Sequence, residues 1–381
     1  MNSIQERNRK LKTSQEKIKF RVRSGQGKWT VVLALLATVT AMLAINAFAR
    51  FNTSSGILFT IQTFLLLYVF FLFRIPESLV PRYLILPTTM VLIALTIFPM
   101  VYLMYLSVHD VTVANLRGEH VFVGVKNYVA VLKDTEVIVS FFRTIQFLIC
   151  VITLELVIGM AMAFLLYQEY RETEVLTTLF MLPVMVSPIL VGMMWRYMFS
   201  FNDGFINQLL SSLGLQKLPW LTNEPIFLAR LFSNPAWATN FLNLNFGFMS
   251  VLITDIWQWT PFVTLLILAG LKSLPSEPFE AAMVDGASTW QTMRYIAIPL
   301  LKPSILVALL IRLMDSMKAF DTIWALFEGS LFTRVLNLSL YNIGITRKLY
   351  SQGAALSVLI IVFVTFLTQM VLKTLRVAQE S

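Results

Sequence analysis

Eight long apolar runs restrict this chain to a fold that crosses a membrane repeatedly. A helix needs about 20 mostly apolar residues to cross a bilayer. The mean hydropathy is +0.72 and 13% of residues are charged, which predicts an all-α, polytopic helix bundle. The second run is short and charges interrupt the seventh. The eight predicted transmembrane helices are Trp29–Phe48, Ile57–Phe73, Tyr83–Ser107, Phe141–Tyr167, Val175–Phe199, Phe248–Leu271, Ser304–Phe327 and Gly353–Lys373.

The basic residues indicate how the chain is oriented. Residues 1–28 form a basic tail with nine lysines and arginines. The positive-inside rule places that tail in the cytoplasm, and eight spans return the C-terminus to the same side. A tail that binds nucleic acid is the alternative, but a topology anchor explains the charge better, so we expect no nucleic-acid partner. By this parity the external loops are residues 108–140, 200–247 and 328–352, and residues 276–303 are cytoplasmic.

Few residues could carry catalysis or bind a metal. Cys150 is the single cysteine, and His109 and His120 have no partner cluster, so neither a disulfide nor a metal site is expected. Gly25–Lys28 faintly suggests a phosphate loop, but Val22 and Trp29 occupy the decisive positions. Zinc-protease and nucleophile-elbow patterns are also missing. We therefore predict no catalytic residue and no cofactor bound by this chain.

The predicted cytoplasmic segment 276–303 carries strong helix signals. Ser276 predicts the start of a short helix and Gly286 its left-handed end. Ser288 and Gln291 form a capping box that begins a second helix, which Pro299 and Pro303 end. These signals alone leave two interpretations open: a rigid docking element, or an amphipathic loop lying at the membrane interface.

A resemblance favours the docking element. Glu280-Ala281-Ala282, Gly286 and Ile296-Ala297-Ile298-Pro299 resemble the EAA loop of ABC importer permeases, and only Ile298 departs from the usual leucine. Further motifs are similar to the carbohydrate branch of that family, the maltose and glycerol-phosphate type. They are Phe122–Tyr128, Gly204–Leu210, Trp220-Leu221, Ala269–Leu271 and Asp285–Ser288.

The resemblance implies a domain plan and a coupling site. Residues 83–373 correspond to a six-helix permease core, preceded by two additional helices within residues 29–73. Residues 276–303, here called the EAA loop, would transmit movements of a separate ATPase subunit to the spans. The residues implied in ATPase coupling are Glu280, Ala281, Ala282, Asp285, Gly286 and Pro299.

The same resemblance implies partners and a location. The partners implied are a second homologous permease subunit forming a heterodimer, two copies of an ATPase subunit that binds ATP and Mg, an extracytoplasmic solute-binding protein and a sugar-type solute. The location implied is the bacterial cytoplasmic (inner) membrane, with multiple passes. The alternative is a stand-alone ion-coupled secondary transporter, which should show two repeated halves. A membrane enzyme is a third possibility, weakened by the missing catalytic residues.

Two spans carry polar residues at helical spacing and predict a solute path. Ionisable residues at membrane depth normally face a cavity or one another. The resemblance also implies sugar contacts on these two faces. Arg312–Asp315 and Lys318–Asp321 could instead be internal salt bridges. If Arg312 and Lys318 face the path, their positive charges leave open an acidic sugar as the solute. The candidates are Asp255, Gln258, Trp259, Phe262, Arg312, Asp315, Ser316 and Ala319.

Overall fold

A computed structural model describes Tyr68 and residues 79–167, 173–227, 244–328 and 333–380. The described helices are α1 (Val80–Val108), α2 (Lys126–Lys133), α3 (Thr135–Tyr167), α4 (Thr173–Phe180), α5 (Leu182–Met185), α6 (Pro188–Met198), α7 (Phe205–Ser212), α8 (Phe246–Lys272), α9 (Glu277–Val284), α10 (Thr289–Thr292), α11 (Ile298–Leu300), α12 (Lys302–Ser316), α13 (Asp321–Phe327), α14 (Leu336–Tyr341) and α15 (Tyr350–Glu380). Two π-helical turns lie at Met293–Ala297 and Asn342–Thr346. Strands β1 (His109–Asp110) and β2 (Val121–Phe122) pair antiparallel, with His109 opposite Phe122.

The chain divides into two compact units, Met1–Met100 and Val101–Ser381. Four helices of the described residues, α1, α3, α8 and α15, are long and apolar enough to cross a membrane. A fifth span results if Thr289–Leu300 and Lys302–Ser316, which meet at 66°, are counted as one bent span. The architecture is therefore all-α and membrane-spanning, as the sequence predicts.

Within the described residues, four of the eight predicted spans are single long helices and two others are divided. The run Val175–Phe199 divides into α4, α5 and α6, because Pro183 and Pro188 cannot donate backbone hydrogen bonds. The run Ser304–Phe327 divides into α12 and α13 at residues 317–320. The first two predicted spans lie outside the described residues, apart from Tyr68.

The core of the second unit forms where α3 packs along α8. Gly159 permits this close approach, because a Cβ added there would lie 2.9 Å from Val263 Cγ1. Gly192 does the same for α6 against α13, where an added Cβ would lie 2.6 Å from the Thr322 carbonyl oxygen. The largest buried cluster joins α3, α6, α8, α13 and α14 through residues that include Phe147, Val151, Val191, Trp195, Phe199, Phe248, Ile323, Leu326 and Leu338.

A buried amide organises the predicted external segment after α6. Asn207 donates to the Leu218 carbonyl at 3.0 Å and accepts from the Leu218 amide at 2.9 Å and from Trp220 Nε1 at 3.2 Å. At Gly204 the chain turns so tightly that an added Cβ would lie 2.4 Å from the Ser200 carbonyl oxygen. These contacts give a structural reason for the Gly204–Leu210 and Trp220-Leu221 motifs.

Candidate functional site

A cavity of about 150 Å³ lies at two helix breaks. One break separates α5 from α6 and contributes Pro188; the other separates α12 from α13 and contributes residues 318–320. Irregular backbone at membrane depth is tolerated only where it is buried in protein or lines a cavity. The lining residues are Pro188, Val251, Asp255, Trp259, Asp315, Ser316, Lys318, Ala319, Phe320, Asp321, Thr322 and Ile323.

Five of the eight residues predicted for a solute path meet at this cavity: Asp255, Trp259, Asp315, Ser316 and Ala319. The Ser316 hydroxyl is buried and has no hydrogen-bond partner in the described part of the chain. A buried polar group normally finds a partner, so this hydroxyl is a vacant donor and acceptor at the cavity wall.

Three predicted residues, Gln258, Phe262 and Arg312, do not line the cavity. Gln258 is buried, and its Nε2 donates to the Val186 carbonyl at 3.1 Å, which joins α8 to the break before α6. Phe262 lies edge-on to Trp259, with 6.4 Å between ring centroids. Of the two side chains, Phe262 thus packs against a residue of the cavity wall, and Gln258 connects two elements beside it.

Arg312 is the centre of a buried charge cluster with three carboxylates. Its Nε and Nη2 donate to the two oxygens of Glu155 at 2.6 and 2.7 Å, in a bidentate arrangement. Nη2 also donates to Asp255 at 2.9 Å, and Nη1 donates to Asp315 at 2.8 Å. The guanidinium carbon lies 5.0 Å from the Trp259 ring centroid, within cation–π range. The cluster thus joins α3, α8 and α12 and fixes the position of Trp259.

Sequence reasoning missed Glu155, although a signal was present. Glu155 is an acid in the middle of the apolar run Phe141–Tyr167, where ionisable residues are costly and need a partner. It lies 157 residues before Arg312, so no local spacing connects the two.

The two salt bridges weighed as a structural alternative differ in outcome. Arg312–Asp315 forms at 2.8 Å. Among the described residues Lys318 and Asp321 form no ion pair, because α12 ends at Ser316 and the helical i,i+3 geometry does not reach them. Both side chains instead line the cavity.

The EAA loop folds as its sequence signals predict, with one difference. Gly286 has φ +71, and the Ala287 and Gly286 amides donate to the Ala282 and Met283 carbonyls in a Schellman motif. The Ser288–Gln291 capping box is complete. Ser276 is at the N-cap position, but its side chain makes no capping hydrogen bond.

The second helix ends between Pro299 and Pro303, the two prolines predicted to end it. Helical turns continue to Leu300, and the 66° bend follows at Leu301. The π turn Met293–Ala297 precedes Pro299, and the Leu301 amide reaches back to the Ala297 carbonyl at 2.8 Å. A π turn shifts the register of hydrogen bonds, and the helix thereby passes a residue without a donor.

One side of the EAA loop is anchored and the other is free. Ala297 and Leu301 are buried in one cluster with Ile267 and Leu271 of α8. Met283 and Trp290, two apolar side chains of this loop, are 78% and 61% exposed. The coupling candidates Glu280, Ala281, Asp285, Gly286 and Pro299 are exposed as well, and Ala282 is buried. Within the described residues, Glu280 and Asp285 make no ion pair or side-chain hydrogen bond.

Comparison with known proteins identifies the family. Residues 155–377 match the model of the "Binding-protein-dependent transport system inner membrane component" family. The chain belongs to this family. The permease is 33% identical to the trehalose/maltose transport system permease protein MalF of Thermococcus litoralis, across 78% of this chain and 93% of that protein. It is 28% identical to the trehalose transport system permease protein SugA of Mycobacterium tuberculosis, across 75% and 85% of the two chains.

A solved structure has the same fold. A chain of a bacterial ABC transporter that imports the acidic polysaccharide alginate superposes with a TM-score of 0.63 at 20% identity, covering 79% of this chain and 96% of that one. The chain is thus the multi-pass membrane permease subunit of a binding-protein-dependent ABC importer, and ATP is bound and hydrolysed by a separate subunit.

Proposed function

We propose that this permease carries a sugar across the cytoplasmic membrane through the cavity between the two helix breaks. The observation that supports this proposal most is the meeting of Asp255, Trp259, Asp315, Ser316 and Ala319 at one cavity. Sugars are bound by hydrogen bonds to their hydroxyls and by contact of their C–H face with an aromatic ring. Carboxylates, an unpaired hydroxyl and a tryptophan side chain supply those contacts. The transport of trehalose and maltose by the curated relatives favours the same solute class.

Substitutions at the cavity test this proposal. Trp259→Ala removes the aromatic contact and Ser316→Leu fills the cavity with an apolar side chain. We expect either change to reduce uptake of labelled trehalose or maltose, whichever the wild type transports, to below a tenth. The complex should stay assembled and its ATPase should still respond to the binding protein. Uptake is measured in cells that express the whole importer.

Trp257→Ala is the matched control, because Trp257 lies on the same helix, is exposed, and does not line the cavity. It should retain uptake. Normal uptake by both Trp259→Ala and Ser316→Leu would place the solute path elsewhere.

The EAA loop is proposed to dock on the ATPase subunit through its free side. Two free carboxylates beside exposed Met283 and Trp290 form a mixed polar and apolar surface, which suits a protein partner. The other side is fixed to α8 and α12. At that junction a Cβ added to Gly270 would lie 2.4 Å from Ser304 Oγ. A movement of the partner would thereby reach the helices that hold Trp259 and Ser316.

The proposed complex has two ATPase subunits, a homologous permease partner in a heterodimer and an extracytoplasmic binding protein. Eight spans with both termini in the cytoplasm remain the proposed topology, in a bacterial cytoplasmic membrane. The domain boundaries proposed for residues 1–28, 29–73 and 83–373 follow from it.

Protease accessibility tests this topology. In right-side-out vesicles, tags after Ser381 and in the turn Ser273–Pro275 should be protected from added protease, because both are proposed to be cytoplasmic. Tags near Glu119 and Gln216 should be cut. Cleavage of the Ser273–Pro275 tag from outside would reverse the orientation of the EAA loop and contradict its docking to an ATPase.

A further inference from the structure

The charges around the cavity do not balance. Of the described residues that line it, Asp255, Asp315 and Asp321 carry carboxylates and Lys318 alone carries a cation. Arg312 and Glu155 lie behind this wall, and their formal charges cancel. The six groups therefore sum to two negative charges, and protonation of one carboxylate would still leave the sum negative.

Arg312 is unavailable to a solute. Its side chain is 1% exposed, and all three of its nitrogens donate to carboxylates. Two of those four hydrogen bonds go to Glu155, which is fully buried and does not line the cavity. Glu155 thus holds the guanidinium away from the cavity. An arginine that reached it would be well suited to bind a carboxylate or phosphate.

We infer that Glu155 is a specificity-determining residue that sets the sign of the cavity: by retaining Arg312 behind the wall, it leaves a negative surface that admits neutral or positively charged saccharides and repels anionic ones. This inference rests on the proposed function, since it concerns the solute taken by the same cavity. Glu155 acts through Arg312 and is a positioning residue.

The sign of the electrostatic potential in the cavity can be measured without knowing the solute. Ala319 lines the cavity and is half-buried, so Ala319→Cys in a Cys150→Ala background places one thiol there. The probes are a cationic trimethylammonium and an anionic sulfonate methanethiosulfonate reagent, applied to the assembled complex. Each rate is divided by the rate with a free thiol in solution. Ser212→Cys, at an exposed position of the second unit, is the reference.

We expect the cationic reagent to react about tenfold faster than the anionic one at residue 319, relative to residue 212, because a nearby unit charge changes the local concentration of each reagent. Asp321→Asn should lower this ratio and Lys318→Gln should raise it. Both residues are exposed, so neither change threatens folding. A wild-type ratio at or below that of residue 212 would overturn the inference and leave the solute path standing.

Glu155 is tested by the same ratio. Glu155→Gln should lower it toward the reference value, because one negative charge is lost and the guanidinium keeps only Asp255 and Asp315 as charged partners. Glu155→Asp should keep it. The double variant Glu155→Gln, Arg312→Gln leaves the net charge unchanged and should stay within about twofold of wild type. An unchanged ratio in Glu155→Gln would overturn the role of Glu155. If Glu155→Gln does not assemble, the double variant decides instead, and a ratio that departs from wild type would overturn that role. If neither reagent reacts at residue 319 while both react at residue 212, the cavity is closed to solutes and the proposed function fails with the inference.

Discussion

Replacing Arg312 with methionine should prevent the permease from accumulating as a folded complex. Arg312→Met would leave Glu155 and Asp255 buried without a counter-charge, and removing one partner of a buried ion pair costs about 3–5 kcal/mol. We expect less than a tenth of the wild-type amount of monodisperse complex on size-exclusion chromatography after extraction from the membrane.

Asp315→Asn is the matched control, because its side chain is 44% exposed and pairs with the same arginine. In this variant Arg312 keeps its two buried partners Glu155 and Asp255, so the complex should assemble at close to the wild-type level. Adding Glu155→Gln to Arg312→Met should recover part of the complex, since it removes one unpaired charge. Normal assembly of Arg312→Met would show that the cluster does not hold the helices together.

A charge reversal on the EAA loop should abolish transport with little effect on folding. Glu280 is exposed and unpaired within the described residues, so Glu280→Lys removes no contact inside the chain. We propose that Glu280 faces a cation of the ATPase, so the new lysine would replace attraction with repulsion. We expect uptake below a tenth of wild type and loss of ATPase stimulation by the binding protein. Glu224→Lys, an exposed reversal in the predicted external segment, should leave both unchanged.

The glycine that ends α9 offers a second, independent test of the same loop. Gly286 and Gly214 both have positive φ, +71 and +74, and an added Cβ would meet no atom within 4 Å at either position. Valine should therefore cost a similar amount at both, about 1–2 kcal/mol from backbone strain. Gly286→Val should uncouple ATP hydrolysis from uptake, whereas Gly214→Val should not. Equal effects on coupling would assign Gly286 a purely structural role.

Local sequence signals were sufficient for the EAA loop. Gly286 and the Ser288–Gln291 capping box encode backbone conformations within one or two turns, and both form as predicted. The same signals placed the end of the second helix between Pro299 and Pro303, but they did not reveal the π turn Met293–Ala297, which depends on how residues 297–301 pack on α8. Exposure of Met283 and Trp290 was unpredictable for the same reason: apolar residues on a helix edge do not reveal which edge meets the core.

The cavity was predictable only in part. Helical spacing correctly grouped Asp255 with Trp259 and Asp315 with Ser316, since residues three and four apart share a face. Spacing does not show where a helix breaks. It therefore extended one face to Phe262 and left open a Lys318–Asp321 salt bridge that does not form within the described residues. The partner of Arg312 on α3 follows from tertiary packing alone. The carboxylate of Glu155, placed within an apolar run, indicated that a partner was needed but not which residue it would be.

The dependence of uptake on ATP tests the central claim most directly. The purified complex of this permease with its homologous subunit and the ATPase is reconstituted into liposomes, with ATP supplied only on the side of the EAA loop and the binding protein only on the other side. Solute uptake should require both, should persist when proton and sodium gradients are collapsed, and should vanish when the ATPase is made inactive. Uptake that follows an ion gradient without ATP would contradict an ABC importer and identify a secondary transporter instead.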